Sequence, residues 1–248
     1  MLRIAKLHVV LYNVQDENMG DLRMCAKKVV ALVPAYDEAP RIGVVLDVLT
    51  GHNRIDEVVV IDDGSADDTA TVAGSYPVTV LRHEENLGKG AALQSGLDYA
   101  KDADIFLFLD ADLIGLHQNH INMLLDGVLE ESNQMSIGRF VKGFILVDLA
   151  QRYFPVLNGQ RALTRAFIEM LPDLRPVRFG VEVLMNQAAQ MYEAPYSYLD
   201  LYGISHWMKE RKYGFRRGVK SRAQMYKEVL HMRRNYETYL SPGKTVSR

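Results

Sequence analysis

Residues 106–113 read FLFLDADL. Phe106 to Leu109 form an unbroken apolar run, the pattern of a strand buried on both faces. The run leads straight into Asp110-Ala111-Asp112. Two carboxylates one residue apart repel, and burying either is costly unless positive charge stands beside it. The stretch therefore predicts a central strand whose C-terminal end meets a cation.

The same rhythm extends outward from it. VVALVPA (29–35) predicts a strand and PRIGVVLDVLTG (40–51) a helix closed by Gly51. EVVVIDDGS (57–65) predicts a strand ending in a turn, and DDTATVAGS (67–75) a short helix. VTVLRHE (78–84) is a further strand, and GKGAALQSGLDYAK (88–101) a helix with apolar positions at helical spacing. Strands alternating with helices predict an α/β fold with a mostly parallel central sheet and helices on both faces. Such sheets bind ligands beyond the carboxyl ends of their strands. Three of those ends are polar or acidic here: PAYDE (34–38), DDGS (62–65) and DAD (110–112).

The second half is less regular. MSIGRFVKG (135–143) reads as a strand and turn. DLAQRYFPVLNGQRALTRAFIEML (148–171) reads as helical on both sides of a break at Asn158-Gly159. RFGVEVLMNQAAQMYEA (178–194) opens as a turn and becomes a helix, and YSYLDLYGISH (196–206) reads as a strand. From Gly218 a helix carries Val219, Ala223, Tyr226 and Leu230 on one stripe, flanked by Lys220, Arg222 and Lys227. Residues 1–27 fit this pattern poorly and read as a peripheral N-terminal extension. The expected organisation is a single domain over 28–218, with a regular half (28–115) and a less regular half (116–218). A basic helix and tail follow over 219–248.

The bulk composition suits a globular protein of this size: 248 residues, 48% hydrophobic and 24% charged. The one cysteine, Cys25, leaves no intramolecular disulfide and is compatible with a reducing compartment. No run of about 18 apolar residues suggests a membrane span, and the first residues lack the order of a secretory signal. The expectation is a cytoplasmic protein. The net charge of −2 hides an asymmetry, because Trp207–Arg234 holds ten Lys or Arg against two Glu. A basic segment on an acidic body suggests an anionic partner, and an amphipathic basic helix suits peripheral contact with anionic lipid.

Each acidic strand end alone has a plain structural reading, as a turn or a helix cap. Carboxylate pairs also suit hard cations, and Mg²⁺ commonly takes one or two protein carboxylates plus substrate phosphates. In Asn86-Leu87-Gly88-Lys89-Gly90 the glycines let backbone approach a ligand and Lys89 offers a charge. The segment is neither a P-loop nor a dinucleotide fingerprint.

Together and in this order, VPAYDE, VVVIDDGSADDT, NLGKGAALQSGL and FLFLDADL resemble the nucleotide-sugar-binding half of family-two glycosyltransferases. The resemblance is nearest to dolichol-phosphate mannose synthases and polyprenyl-phosphate glucosyltransferases, and the chain is also similar to glucosyl-3-phosphoglycerate synthases. It covers residues 28–115 and, more loosely, 135–218. It implies a Rossmann-like GT-A fold and a metal-dependent transfer of a hexose from a UDP- or GDP-linked donor to a phosphorylated acceptor, a polyprenyl or dolichyl phosphate foremost.

The resemblance also implies roles. Pro34, Ala35, Tyr36 and Glu38 would line the base and ribose pocket. Asp63 would contact the nucleoside, with Asp62 beside it and Gly64 shaping the turn. Lys89 would lie near the nucleotide, and Asp110 and Ala111 near the ribose and diphosphate. Asp112 would ligate Mg²⁺ or Mn²⁺, with Asp110 and His206 completing the metal set. Lys212, six residues after His206, would approach the diphosphate.

Ser136-Ile137-Gly138-Arg139 resembles a Gly-Ser-Arg segment whose arginine grips acceptor phosphate. Gly159-Gln160-Arg161-Ala162 resembles a Gly-Phe-Arg-Ala loop, with Gln in place of Phe. The planar fork of arginine suits phosphate, so Arg139, Gln160 and Arg161 are expected at the acceptor. Glu182 stands where inverting members carry a catalytic carboxylate. An alcohol acceptor needs such a base within reach, whereas an ionised phosphate needs none. His52, His83, His117, His120 and His231 have no comparable context. Two other classes remain as alternatives: a haloacid-dehalogenase-like phosphatase, and a non-catalytic nucleotide- or nucleic-acid-binding protein. The acidic strand ends argue against a nucleic-acid partner.

Overall fold

The computed structural model describes residues 27–141, 159–178, 180–206, 231–232 and 234–240. The N-terminal extension up to residue 26 lies outside the described residues. So do Lys212 and the basic helix expected from Gly218, with its apolar stripe through Leu230.

Seven strands form one sheet in the order β3-β2-β1-β4-β7-β6-β8. They are β1 (Val29–Ala35), β2 (Glu57–Asp62), β3 (Thr79–Arg82), β4 (Ile105–Phe108), β6 (Met135–Val141), β7 (Arg161–Thr164) and β8 (Tyr196–Tyr202). β5 (Leu113–Ile114) pairs with β9 (Ser205–His206) in a small ribbon of its own. Six of the seven strands run one way, and β7 alone runs against β4 and β6.

Two cores follow from the period-two alternation of the strands. On one face Val30, Leu32, Val59, Ile61, Phe106 and Phe108 pack against α3 (Lys89–Tyr99), α5 (Arg165–Met170) and α6 (Val181–Met191). On the other, Ala31, Val33, Val58, Val60, Ile105 and Leu107 pack against α1 (Ile42–Thr50), α2 (Thr69–Ala73) and α4 (Gln118–Leu129). Helices on both faces of a mostly parallel sheet are the expected architecture.

One expectation is overturned. Residues 161–164 read as helix after the break at Asn158-Gly159, but they form β7. Their Arg, Ala and Leu favour a helix intrinsically. The slot between β4 and β6 outweighs that preference, because it offers backbone hydrogen bonds on both sides, pairing Phe108 with Arg161 and Ile137 with Arg161. The helix resumes only at Arg165, where the Thr164 side chain caps it by accepting from the Phe167 N–H.

Candidate active site

The carboxyl ends of β1, β2 and β4 meet at one edge of the sheet, and β7 begins there. β4 ends at Phe108, so Leu109 to Asp112 form the turn beyond it. Ala111 is buried, while Asp110 and Asp112 are each half-buried.

Asp110 is held from two sides. Its Oδ1 accepts from Lys89 Nζ at 2.6 Å and its Oδ2 from Gln160 Nε2 at 2.8 Å. Lys89 Nζ also donates to Glu182 Oε1 at 2.6 Å. Lys89, at the first turn of α3, thus bridges the end of β4 and the first turn of α6. Burial alone would lower the pKa of its ammonium, yet the two carboxylates outweigh that and hold it above its ordinary value. Gly159 is packed onto this bridge. A Cβ there would lie 2.6 Å from Asp110 Oδ2 and 2.7 Å from Lys89 Nζ, so no larger residue fits without moving the pair.

Gln160 and Arg161 are fully buried. Arg161 donates to Asn186 Oδ1 at 2.6 Å and points at Met135 Sδ at 3.4 Å. Burial pushes its guanidinium down to about 10, opposed by the charges of Glu182 and Asp110. Both were expected at the acceptor, and in this structure both are covered, Gln160 against Asp110 and Arg161 against Asn186. Arg139 is half-exposed and balanced by Asp200, 2.7 Å away, and it stacks over the Tyr198 ring at 5.3 Å. Arg161, Ile137 and Tyr198 are direct partners across β7, β6 and β8, so the two arginines share a sheet face.

The donor-side residues are largely tied into the loops. Pro34 is half-buried, Ala35 buried and Tyr36 exposed. Glu38 pairs with Arg41 and its backbone N–H donates to Thr69 Oγ1. Asp62 is fully buried, and its Oδ1 accepts from the Ser65 N–H while its Oδ2 faces Arg82 Nε at 3.3 Å. Gly64 takes φ +73° against the backbone of Glu85, where a Cβ would be 2.5 Å away.

Asp63 is 4% exposed, and its carboxylate gathers three donors: His83 Nδ1 at 2.7 Å, the Leu87 N–H at 3.0 Å and the Gly88 N–H at 2.8 Å. His83, set aside on sequence grounds, is therefore part of this shell. Its signal was positional, because Asp63 and His83 directly follow the paired residues Asp62 and Arg82 at the ends of adjacent strands.

His206 pairs through its backbone with Leu113, the neighbour of Asp112. Its side chain lies outside the described residues. Among the described residues no three His, Cys, Asp or Glu side chains form a preformed metal cluster.

Comparison with known proteins agrees with this geometry. The chain is 34% identical over 154 residues to a glucosyl-3-phosphoglycerate synthase of Mycolicibacterium paratuberculosis, covering 58% of this chain and 46% of that one. It is 29% identical over 139 residues to a UDP-N-acetylglucosamine–dolichyl-phosphate N-acetylglucosaminyltransferase of Methanococcus voltae, covering 48% and 54%. The chain spans about half the length of the curated relatives it matches. In fold it resembles the Mycobacterium tuberculosis glucosyl-3-phosphoglycerate synthase solved with Mn²⁺, UDP and glucosyl-3-phosphoglycerate. The TM-score is 0.70 at 22% identity, over 94% of this chain and 88% of that one. The fold is accordingly of the GT-A kind. Residues 30–182, which hold the carboxyl ends of β1, β2 and β4 and the start of β7, match the glycosyl transferase family 2 profile, and the chain belongs to that family.

Proposed function

We propose that the protein transfers a hexose from a UDP- or GDP-linked donor to a phosphorylated acceptor with the help of Mg²⁺ or Mn²⁺. The supporting observation is the bridge of Lys89 between Asp110 and Glu182, beside the half-buried Asp112, in a family 2 chain.

The residues fit a divalent cation. Asp112 offers hard oxygens at the site's edge, and a site of few protein carboxylates suits a cation that takes its remaining ligands from a diphosphate and water. When bound, the cation supplies positive charge that offsets the charge gathering on the departing nucleoside diphosphate. Asp112 would hold it, with His206 as the second proposed protein ligand. Asp110 has a different task, since Lys89 and Gln160 take one oxygen each. It fixes the Lys89 ammonium, which has three donors and uses two here. The third is suited to an anionic oxygen of the donor.

Glu182 bears on the acceptor. It is 6% exposed and its Oε1 is engaged by Lys89. A carboxylate so placed is poorly presented to an incoming hydroxyl. That favours an acceptor that arrives already ionised, a phosphate, which needs no base. Polyprenyl and dolichyl phosphates are the leading candidates, in line with the basic Trp207–Arg234 segment. Small phosphorylated acids, as in the name of the mycobacterial relative, come next. The phosphatase alternative needs the first Asp of DAD as a free nucleophile, whereas Asp110 is held on both oxygens.

The test is a thermal-shift panel of UDP-glucose, UDP-galactose, UDP-N-acetylglucosamine, GDP-mannose and TDP-glucose, each with and without Mn²⁺. A donor at 100 times its dissociation constant stabilises by about 2.7 kcal/mol, roughly 5–10 °C for a chain of this size. A shift with one donor, only with metal, names the nucleotide. No shift with any donor overturns the reading.

A further inference from the structure

Asp63, His83 and Ser95 form a continuous chain of hydrogen bonds. His83 Nδ1 lies 2.7 Å from Asp63 Oδ1, and His83 Nε2 lies 2.9 Å from Ser95 Oγ. An ionised Asp63 only accepts, so Nδ1 carries the proton. In the neutral imidazole Nε2 then accepts from the Ser95 hydroxyl. The order carboxylate, imidazole, hydroxyl is that of an activated nucleophile. Ser95, however, lies in the body of α3, where backbone N–H groups are spent on the helix's own carbonyls. The helix around Ser95 therefore offers no pair of free N–H donors to an oxyanion, and the arrangement does not read as acyl-transfer machinery.

Its function lies at the other end. Asp63 receives the N–H groups of Leu87 and Gly88, and Gly88 is the N-cap of α3. The next residue is Lys89, whose ammonium reaches Asp110 and Glu182. Below that first turn the backbone has no slack, since a Cβ on Gly90 would lie 1.8 Å from the Val177 carbonyl oxygen. The orientation of one buried carboxylate thus sets the position of the residue that organises the site. His83, with a side chain 13% exposed, locks that orientation to α3 itself through Ser95.

We infer that His83 is a positioning residue for the nucleotide-diphosphate site. Its Nδ1 donor fixes the Asp63 carboxylate, and through Gly88 this holds Lys89 where the donor's diphosphate arrives. The inference rests on the donor reading above. It adds a residue that never touches the donor, placed on β3's end rather than on the strands that carry the acidic turns.

The test compares His83→Asn, His83→Gln and His83→Ala in the full chain, titrated with UDP and with GDP in the presence of Mn²⁺, with melting temperatures recorded without ligand. Asn places an amide donor where Nδ1 stands and loses the Ser95 bond. Gln places one where Nε2 stands and loses the Asp63 bond. Nucleotide affinity is expected to stay within about threefold of wild type for Asn, and to fall about tenfold or more for Gln and Ala. A purely structural histidine would give Asn and Gln matching losses in melting temperature and in binding. Equal affinities for Asn and Gln, or stronger binding by Gln than by Asn, overturn the inference. If wild type binds neither nucleotide, the donor reading fails first and takes this inference with it.

Discussion

Lys89 and Glu182 stand 93 residues apart in the chain and 2.6 Å apart in the fold. Their contact joins α3, which follows the Asn86–Gly88 turn, to α6, which comes after β6 and β7. Arg161, buried nearby, and Asp110 make the set two cations and two carboxylates. The balance is what lets so many charges lie at the edge of an apolar core.

Lys89→Met is expected to leave two carboxylates facing each other without their shared cation. Removing one partner of a poorly exposed ion pair costs about 3 kcal/mol, or roughly 6–12 °C in melting temperature. The double variant Lys89→Met with Glu182→Gln is expected to recover part of that loss. Thermal melts of the single and double variants check it, and additive losses would count against the coupling.

Asp112 lies outside this bridge. Asp112→Ala is expected to change stability by less than about 1 kcal/mol while abolishing the Mn²⁺-dependent part of donor binding. Calorimetric titration with and without metal separates the two. Wild-type metal dependence in the variant would remove Asp112 from the cation site.

Acid is expected to loosen the α4 side of the sheet. Burial lowers the pKa of His52 and of His120 below the ordinary 6.5. The folded geometry agrees, since His120 Nδ1 accepts from the His117 N–H and His52 Nδ1 accepts from the Arg54 N–H. Between the folded values and 6.5 the unfolded chain binds more protons. Their contribution is therefore complete above pH 6.5 and is lost as pH falls toward the folded values. Melting curves from pH 7.5 downward should show the decline, and His52→Gln with His120→Gln should flatten it.

Two glycines separate steric from conformational cost. Gly90→Ala would drive a methyl to within 1.8 Å of the Val177 carbonyl oxygen. Its expected cost exceeds about 4 kcal/mol, or prevents folding. Gly203 has φ +77° with nothing near its missing Cβ, so Gly203→Ala should cost only about 1–2 kcal/mol. Denaturant unfolding of both variants tests the contrast.

The first half of the fold was legible because its strands are continuous apolar runs that end in turn residues. β7 was not, because ALT and its neighbours carry a helical preference that only the pairing with β4 and β6 overrides. α4 went unread for another reason. It lacks a Ser, Thr or Asp cap, and its capping box is made of His117 and His120 instead. Within the site, the acidic strand ends could be seen in the motifs. The bridge from Lys89 to Glu182 and the link from Asp63 to His83 could not. Both depend on which elements the sheet order makes neighbours, and spacing along the chain carries no trace of that.

The lone reversed strand has a consequence for how this domain can diversify. β6 ends at Val141 on the same rim of the sheet where β7 begins, next to Asp110. The chain therefore leaves β6 and re-enters β7 on the rim that carries the site. A change in the connection between β6 and β7 therefore bears on the site while the pairing of β1, β2 and β3 at the far side of the sheet is left as it is.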